Sequence, residues 1–190
     1  ITAFGRTGKM FALDHWGVEP DIIQFAKAIT SGYFPFGGIG VSDAISQVLR
    51  DDGRAWMHAY TYSAHPVGCA VSLRTLQIVE EECLPEQAAT KGQYLFNALT
   101  AALAHHPHVG DIRGKGLMCA VELVQDKTTK QSFPPEDKIG LRLNRAAIER
   151  GLFSRVKADS YLLAPPIVIT TTQIDQAVEI LADSVHAVVG

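Results

Sequence analysis

Lys27 directly follows an apolar run, which is an unusual place for a charged side chain. The four apolar residues of that run are Ile22, Ile23, Phe25 and Ala26. Burial disfavours the ammonium form of lysine and raises the fraction of neutral amine, which is the form that attacks an aldehyde to give an imine. The alternative is a lysine whose stem lies along the apolar surface while its ammonium group reaches water.

Two glycine-rich stretches are similar to nucleotide-binding motifs, but their residues do not have the spacing that those motifs require. The stretch 5–9 is similar to a phosphate-binding loop, but its glycines are too close together and Met10 stands where a Ser or Thr would contact magnesium. The stretch 37–40 is not followed by the third glycine and helix of a dinucleotide-binding motif.

A group of histidines, His105, His106 and His108, surrounds Pro107 where a helical pattern ends. We interpret it as an exposed helix end and turn, because metal sites need ligands at defined spacing. The sequence therefore predicts no metal site.

Alternating short apolar runs and amphipathic stretches predict the α/β elements that position Lys27. The stretch 20–26 is predicted to be a turn that leads into a short buried strand, and further strands are predicted at 37–41, 117–124, about 152–153 and 161–163. The predicted helices are 42–49, 66–83, 85–105, 136–150 and one that begins near Thr172, whose hydroxyl is expected to cap it. Residues 51–65 are expected to be irregular.

Composition excludes several function classes. The chain has 190 residues, 47% of them hydrophobic, and a net charge of −3, whereas a protein that binds nucleic acid usually has a basic surplus. No window reaches the roughly 18–20 apolar residues of a membrane span. The three scattered cysteines, which form no C-x-x-C motif, favour a reducing cytoplasm. We therefore expect a cytoplasmic protein without a nucleic-acid or membrane partner.

Four ordered blocks resemble the signature of class III aminotransferases. The first block runs from Phe4-Gly5-Arg6-Thr7-Gly8 through Ala26-Lys27 to Gly37-Gly38, and the others are Thr61-Tyr62-Ser63-Ala64-His65-Pro66, Gly114-Lys115-Gly116-Leu117-Met118 and Leu163-Ala164-Pro165-Pro166. Four blocks in order, at plausible spacing, are far more specific than any one motif. Ala3, Ala28 and Ala64 depart from the family, which more often has Gly there.

The resemblance implies a fold, a cofactor and a reaction. The fold would be α/β, the C-terminal part of a fold-type I transferase that depends on pyridoxal phosphate. Residues 1–65 would end the large cofactor-binding domain, and residues 66–190 would form the interdomain helix and the small domain. Lys27 would hold pyridoxal phosphate as a Schiff base and shuttle the proton during amino-group transfer.

The second block implies a dimeric cofactor site. Thr61 matches the family threonine whose hydroxyl and backbone N–H bind the cofactor phosphate of the partner subunit, and Tyr60 is expected to contribute to cofactor binding beside it. A homodimer or tetramer would follow. The alternative for Thr61 is a plain loop residue before the helix that starts at Pro66.

Arg155 is the residue from which the class of substrate can be predicted. An arginine at this offset before Ala-Pro-Pro pairs with a substrate carboxylate in the ω-amino acid–pyruvate branch of the family, a task suited to guanidinium. Relatives that act on ornithine, acetylornithine or 4-aminobutyrate usually have an arginine at the position of Leu162. The resemblance therefore favours an ω-amino acid or amine donor and a pyruvate-like acceptor, and the alternative for Arg155 is a solvated hairpin charge.

The family's aspartate that pairs with the pyridine nitrogen would fall immediately before Ile1. We therefore expect that these 190 residues form a piece of a longer enzyme and are inactive alone. Two alternatives remain: an aminomutase of the same fold, and a non-catalytic truncated chain that acts only in assembly.

Overall fold

A computed structural model describes residues 1–51, 53 and 58–190 of the chain. The elements separate into two compact units, one of Ile1–Gly5 and Lys9–Pro85, the other of Arg6–Gly8 and Glu86–Gly190. Within the segment 51–65 that was predicted to be irregular, residues 52 and 54–57 lie outside the described residues.

In its described residues, the first unit has a two-stranded antiparallel sheet and two α-helices. Strands β1 (Ile22–Ala26) and β2 (Gly37–Val41) pair so that Ala26 lies opposite Gly37. Helix α1 spans Asp43–Asp51 and helix α2 spans Pro66–Glu81. Proline is tolerated at the first position of α2 because the first turn of a helix leaves its N–H groups without intrahelical partners. Helix α2 packs on the short 3-10 turn Lys27–Thr30.

The second unit is a four-stranded antiparallel sheet with three helices. Its strands lie in the order β3 (Val109–Lys115), β4 (Met118–Leu123), β6 (Ser160–Leu163) and β5 (Arg155–Lys157). The helices are α3 (Leu84–Leu103), α4 (Ile139–Glu149) and α5 (Thr171–Val189).

Alternate residues of the central strands form the core of the second unit. Cys119, Val121 and Leu123 of β4 lie on one face and are at most 5% exposed, and Tyr161 and Leu163 continue that face on β6. The core also includes apolar residues of the three helices, such as Leu99 of α3, Leu143 of α4 and Leu181 of α5. The amphipathic spacing of these helices thus covers one face of the sheet.

Three of the sequence blocks meet in the second unit. The guanidinium of Arg6 donates a hydrogen bond to the carbonyl of Pro165, and the N–H of Leu117 donates to the carbonyl of Arg6 at 3.0 Å. Gly116, with φ +53°, is required because a Cβ there would lie 2.4 Å from the backbone of Thr7. The blocks around residues 6, 116 and 165 are therefore parts of one packed contact.

Several predicted elements need correction. The strand expected at 152–153 lies instead at Arg155–Lys157, and strand β3 was not predicted because its residues alternate poorly, with a register shift between Val109 and Asp111. Helix α5 is capped by Thr170, not Thr172: the Thr170 hydroxyl accepts a hydrogen bond from the N–H of Gln173 at 3.2 Å, and Gln173 reaches back to the N–H of Thr170.

The histidine group is not the exposed turn that the sequence predicted. His106 is only 7% exposed, because its ring packs edge-on against His186 of α5 with centroids 4.9 Å apart. Its Nδ1 accepts a hydrogen bond from the N–H of His108 at 3.2 Å. Burial, followed by the nearby His186, His108 and Lys127, lowers the pKa of His106.

We predict that His106 makes the second unit less stable in mild acid. Because its pKa is lower in the folded chain than in the unfolded chain, the unfolded state binds more protons, and the free energy of unfolding should fall as pH drops below about 6.5. Chemical unfolding of His106→Gln between pH 8 and pH 5 should show a smaller fall than wild type. The exposed His105 supplies the control, and a His105→Gln variant with the same flattened profile would contradict the assignment.

The described residues contain no helix that is long and apolar enough to cross a membrane. No group of three or more His, Cys, Asp and Glu side chains among them has an arrangement that could hold a metal ion.

Candidate active site

Lys27 opens the loop that connects β1 to β2. Strand β1 ends at Ala26, and Lys27 begins the 3-10 turn Lys27–Thr30 with a left-handed backbone, φ +59°. A side chain in this conformation costs roughly 1–2 kcal/mol, so the surrounding packing has to maintain it. The backbone thus directs Lys27 away from the line of the strand.

The predicted burial of the strand before Lys27 is wrong for this chain. Residues of β1 alternate between exposed and half-buried, and Lys27 itself is exposed. The reason is that, within the described residues, β1 pairs only with β2, and two strands leave much of both sheet faces open to solvent. The apolar run before Lys27 therefore forms a sheet surface that is only partly covered.

An open cavity of about 780 Å³ lies beside Lys27. Aromatic side chains form much of its wall: the rings of Phe4 and Phe11 are 5.7 Å apart, and those of Phe4 and Phe25 are 6.1 Å apart. Among the described residues that line the cavity, Lys27 is the only one with a side-chain amine. Lys27 therefore lies beside a space that is partly walled by aromatic rings.

Gly38 allows the Phe25 ring to lie against β2. A Cβ at position 38 would come within 2.5 Å of that ring, and a Cβ at Gly37 would lie 2.9 Å from the Phe25 carbonyl oxygen. Both glycines also line the cavity. Each glycine of the Gly37-Gly38 pair therefore has a steric reason: Gly38 leaves room for the Phe25 ring, and Gly37 leaves room for the backbone of β1.

Tyr60 and Thr61 lie in the turn that leads into α2. Tyr60 lines the cavity with Lys27, whereas Thr61 does not and is exposed. The turn is closed by a hydrogen bond from the N–H of Ser63 to the carbonyl of Tyr60 at 2.9 Å. No hydrogen bond of the Thr61 hydroxyl occurs within the described part of the chain, so this hydroxyl is available to a ligand.

Arg155 belongs to the other compact unit, at the start of edge strand β5. It is exposed and forms no ion pair with a described residue. In the register of β5 and β6 its direct partner is Leu162. Of the four predicted site residues, the structure thus brings Lys27 and Tyr60 to one cavity, with Thr61 adjacent in sequence and Arg155 in a separate unit.

The cavity suits the cofactor that the resemblance implies. Its volume lies within the range of roughly 300–1,000 Å³ that holds small cofactors, and flat aromatic walls suit a heteroaromatic ring. Lys27 supplies the amine that an aldehyde needs. The described residues therefore fit pyridoxal phosphate at its aldehyde end.

Sequence reasoning missed the aromatic walls of the cavity. Phe4 and Phe25 are separated by 20 residues of mostly irregular chain, and Phe4 has a left-handed backbone at φ +58° that no local pattern signalled. The sequence does show an aromatic residue at each end of this glycine-rich stretch. Only the fold shows that the two rings lie close together.

Comparison with known proteins identifies the family. Residues 1–185 match the family described as Aminotransferase class-III. The chain belongs to the class III aminotransferases. It is 42% identical to an uncharacterized aminotransferase of Sinorhizobium fredii over 99% of this chain and 41% of that protein. It is 38% identical to the putrescine–pyruvate aminotransferase of Pseudomonas aeruginosa, over 94% of this chain and 39% of that protein.

The fold is similar to that of solved class III enzymes. The crystal structure of an (S)-enantioselective omega-transaminase from Thermomicrobium roseum matches with a TM-score of 0.95 and 48% identity, over 100% of this chain and 42% of that one. The chain thus spans about two fifths of the length of the proteins it matches. The predicted family and fold class are confirmed, as is the cofactor, since class III aminotransferases depend on pyridoxal phosphate.

The three alanines that depart from the family pattern are not equivalent. Ala64 has φ +55°, a conformation that favours glycine, whereas Ala3 and Ala28 have no positive φ. We predict that Ala64→Gly raises the free energy of unfolding by roughly 0.5–1 kcal/mol and that Ala28→Gly lowers it by a similar amount.

Thermal unfolding of the two variants measures both effects. The opposite signs make Ala28→Gly the matched control. Destabilisation by Ala64→Gly would show that the left-handed turn before α2 carries no strain.

Proposed function

We propose that this chain is part of an enzyme that uses pyridoxal phosphate to move an amino group from an ω-amino acid or amine to pyruvate or a similar keto acid. The observation that carries the proposal is Lys27, which supplies the only side-chain amine among the described residues of an aromatic-walled cavity. Membership of the class III aminotransferases supports the reaction type, and the relative named a putrescine–pyruvate aminotransferase supports the acceptor.

Lys27 has two tasks in the proposed reaction. It holds the cofactor covalently between turnovers, and when the substrate amine replaces it, its Nζ takes the proton from the substrate carbon that bears the amino group. When bound, the cofactor supplies an electron sink that makes this carbon acidic. Since Lys27 pairs with no acidic side chain in the described part of the chain, its nitrogen can exchange between these tasks without first breaking an ion pair.

Thr61 and Tyr60 would hold the phosphate end of a cofactor. The resemblance to the family assigns Thr61 to the phosphate of a second subunit, and the exposure of Thr61 outside the cavity that Tyr60 lines supports this proposal. A homodimer or a tetramer follows from this assignment. Phosphate oxygens accept hydrogen bonds from hydroxyl and backbone N–H donors alike.

Arg155 would bind a substrate carboxylate, and its cross-strand partner supports this role. Residues that lie directly opposite in an antiparallel pair project from the same face, with Cβ atoms about 4.5–5.5 Å apart. Arg155 and Leu162 are such a pair. An arginine at 162, as in relatives of other specificity, and one at 155 would therefore present guanidinium groups on the same face of the hairpin. An arginine at 155 instead of 162 therefore places its guanidinium group at a different point on the same face of the sheet.

We further propose that the chain is the C-terminal part of a longer protein, since it spans about two fifths of its relatives. The scattered cysteines, which form no C-x-x-C motif, support a cytoplasmic location for that protein. In this view residues 1–65 end the large domain, residues 66–190 include the interdomain helix and small domain, and the 190 residues alone do not sustain transamination.

The Lys27 assignment predicts a covalent link. Borohydride treatment of the full-length protein with pyridoxal phosphate should add the reduced cofactor to the peptide that contains Lys27, because reduction fixes a C=N bond. Lys27→Ala should abolish the adduct and amino transfer. The control is Lys9→Ala, which removes an exposed lysine of the same unit and should leave both unchanged. A mass spectrum with the adduct on another lysine would refute the assignment, and turnover without a keto acid would favour an aminomutase.

The Arg155 assignment predicts a loss that is specific to carboxylate substrates. Arg155→Leu should raise the KM for pyruvate by about ten- to hundredfold, because a charge-assisted hydrogen bond is lost. The KM for an amine without a carboxylate should stay unchanged. Adding Leu162→Arg should recover part of the loss, because position 162 projects from the same face.

Lys157→Leu is the control for this series, since Lys157 is an exposed cation two residues along the same strand. If steady-state kinetics showed an equal rise in the pyruvate KM for Lys157→Leu, a general positive field and not Arg155 would bind the carboxylate.

A further inference from the structure

Thr30 is the most deeply buried polar side chain of the turn that carries Lys27. It is 1% exposed, and its hydroxyl donates a hydrogen bond to the carbonyl oxygen of Phe34 at 2.7 Å. The same hydroxyl lies 3.5 Å from the carbonyl oxygen of Lys27. A buried hydroxyl without a partner costs about 1–3 kcal/mol, so its single proton favours the conformation in which the Phe34 carbonyl accepts it.

The backbone around Thr30 needs such a restraint. Lys27 at φ +59° and Ser31 at φ +51° are both left-handed without being glycine, and Gly32 follows at φ +83°. Each of the two strained residues disfavours this loop relative to an extended chain. Thr30 lies between them at the end of the turn that Lys27 begins, and its hydrogen bond to the Phe34 carbonyl joins this turn to the chain beyond Gly32.

Phe34 is itself fixed on helix α2. Its ring lies 5.1 Å from the ring of His65, centroid to centroid, and a Cβ at Gly68 would come within 3.1 Å of it. The hydrogen bond from Thr30 therefore connects the Lys27 turn to a residue that is held on the first turn of α2.

We infer that Thr30 is a positioning residue that fixes the backbone from which Lys27 reaches pyridoxal phosphate. The inference rests on the proposed function of Lys27. Thr30 does not line the cavity, so its effect passes through the turn and not through contact with a ligand. A small displacement of a reacting group lowers the rate of a step that depends on its orientation.

The test compares variants of the full-length protein prepared without cofactor. Thr30→Val keeps the shape of the side chain and removes the donor, whereas Thr30→Ser keeps the donor. Each protein is mixed with pyridoxal phosphate and quenched with borohydride at intervals, and the mass added to the Lys27 peptide is measured. We expect labelling about tenfold slower in Thr30→Val and close to wild type in Thr30→Ser. Amide hydrogen exchange of residues 27–34 should be faster in Thr30→Val before cofactor is added.

Thr100→Val is the matched control. Thr100 is half-buried in α3, and its hydroxyl donates to the carbonyl of Phe96 at 2.8 Å, so the variant removes a comparable bond outside the Lys27 turn. Its labelling rate should equal that of wild type. If Thr30→Val does not fold, Thr30→Ser and Thr30→Ala replace it, because both lose the methyl group and differ only in the hydroxyl.

The outcomes separate the inference from the function on which it rests. Wild-type protein without label at Lys27 overturns the proposed function, and this inference with it. Label at Lys27 with equal rates in wild type and Thr30→Val overturns the inference alone. Labelling that slows equally in Thr30→Ser and Thr30→Val, or in Thr100→Val, also overturns it, because the Thr30 hydroxyl would then not be the cause.

Discussion

The turn that carries Lys27 is connected to helix α2 through Phe34, which accepts a hydrogen bond from Thr30 and whose ring lies against Gly68. Because glycine has no Cβ, the ring can lie directly on the first turn of α2, where a methyl group would come within 3.1 Å of it and within 2.6 Å of the Phe36 ring. Glycine inside a helix costs roughly 1 kcal/mol relative to alanine. Gly68 therefore lowers the intrinsic stability of helix α2. It also lets Phe34 pack on the helix, and this packing supports the left-handed residues of the loop after Lys27.

The two units differ in how they hold their candidate residues. In the second unit, buried side chains of β4 and β6 pack with those of three helices, and Tyr161 is fully buried. Arg155 lies on β5, which pairs with the buried strand β6, so its backbone is held by this core. In the first unit, the sheet beside Lys27 has two strands with no fully buried residue in β1.

Elements with a strong hydrophobic period were predicted well, and those that depend on distant partners were not. The bounds expected for α2, α3 and β2 differ from the structure by no more than a few residues, because their patterns are local. Strand β3 was missed, since it owes its pairing to β4 and little to its own composition. The cap of α5 was misplaced by two residues because Thr170 and Thr172 are chemically equivalent, and only the reach of Gln173 distinguishes them.

The sequence by itself determined the family, the fold class and the cofactor, because ordered blocks of residue types are properties of the chain alone. Tertiary structure alone decided the surroundings of those residues: the exposure of Lys27, the burial of His106, the positive φ of Ala64 and the pairing of Arg155 with Leu162. Burial and backbone strain are set by contacts between residues far apart in the chain, and strand register is set by turns and by the face that is buried. No local pattern contains that information.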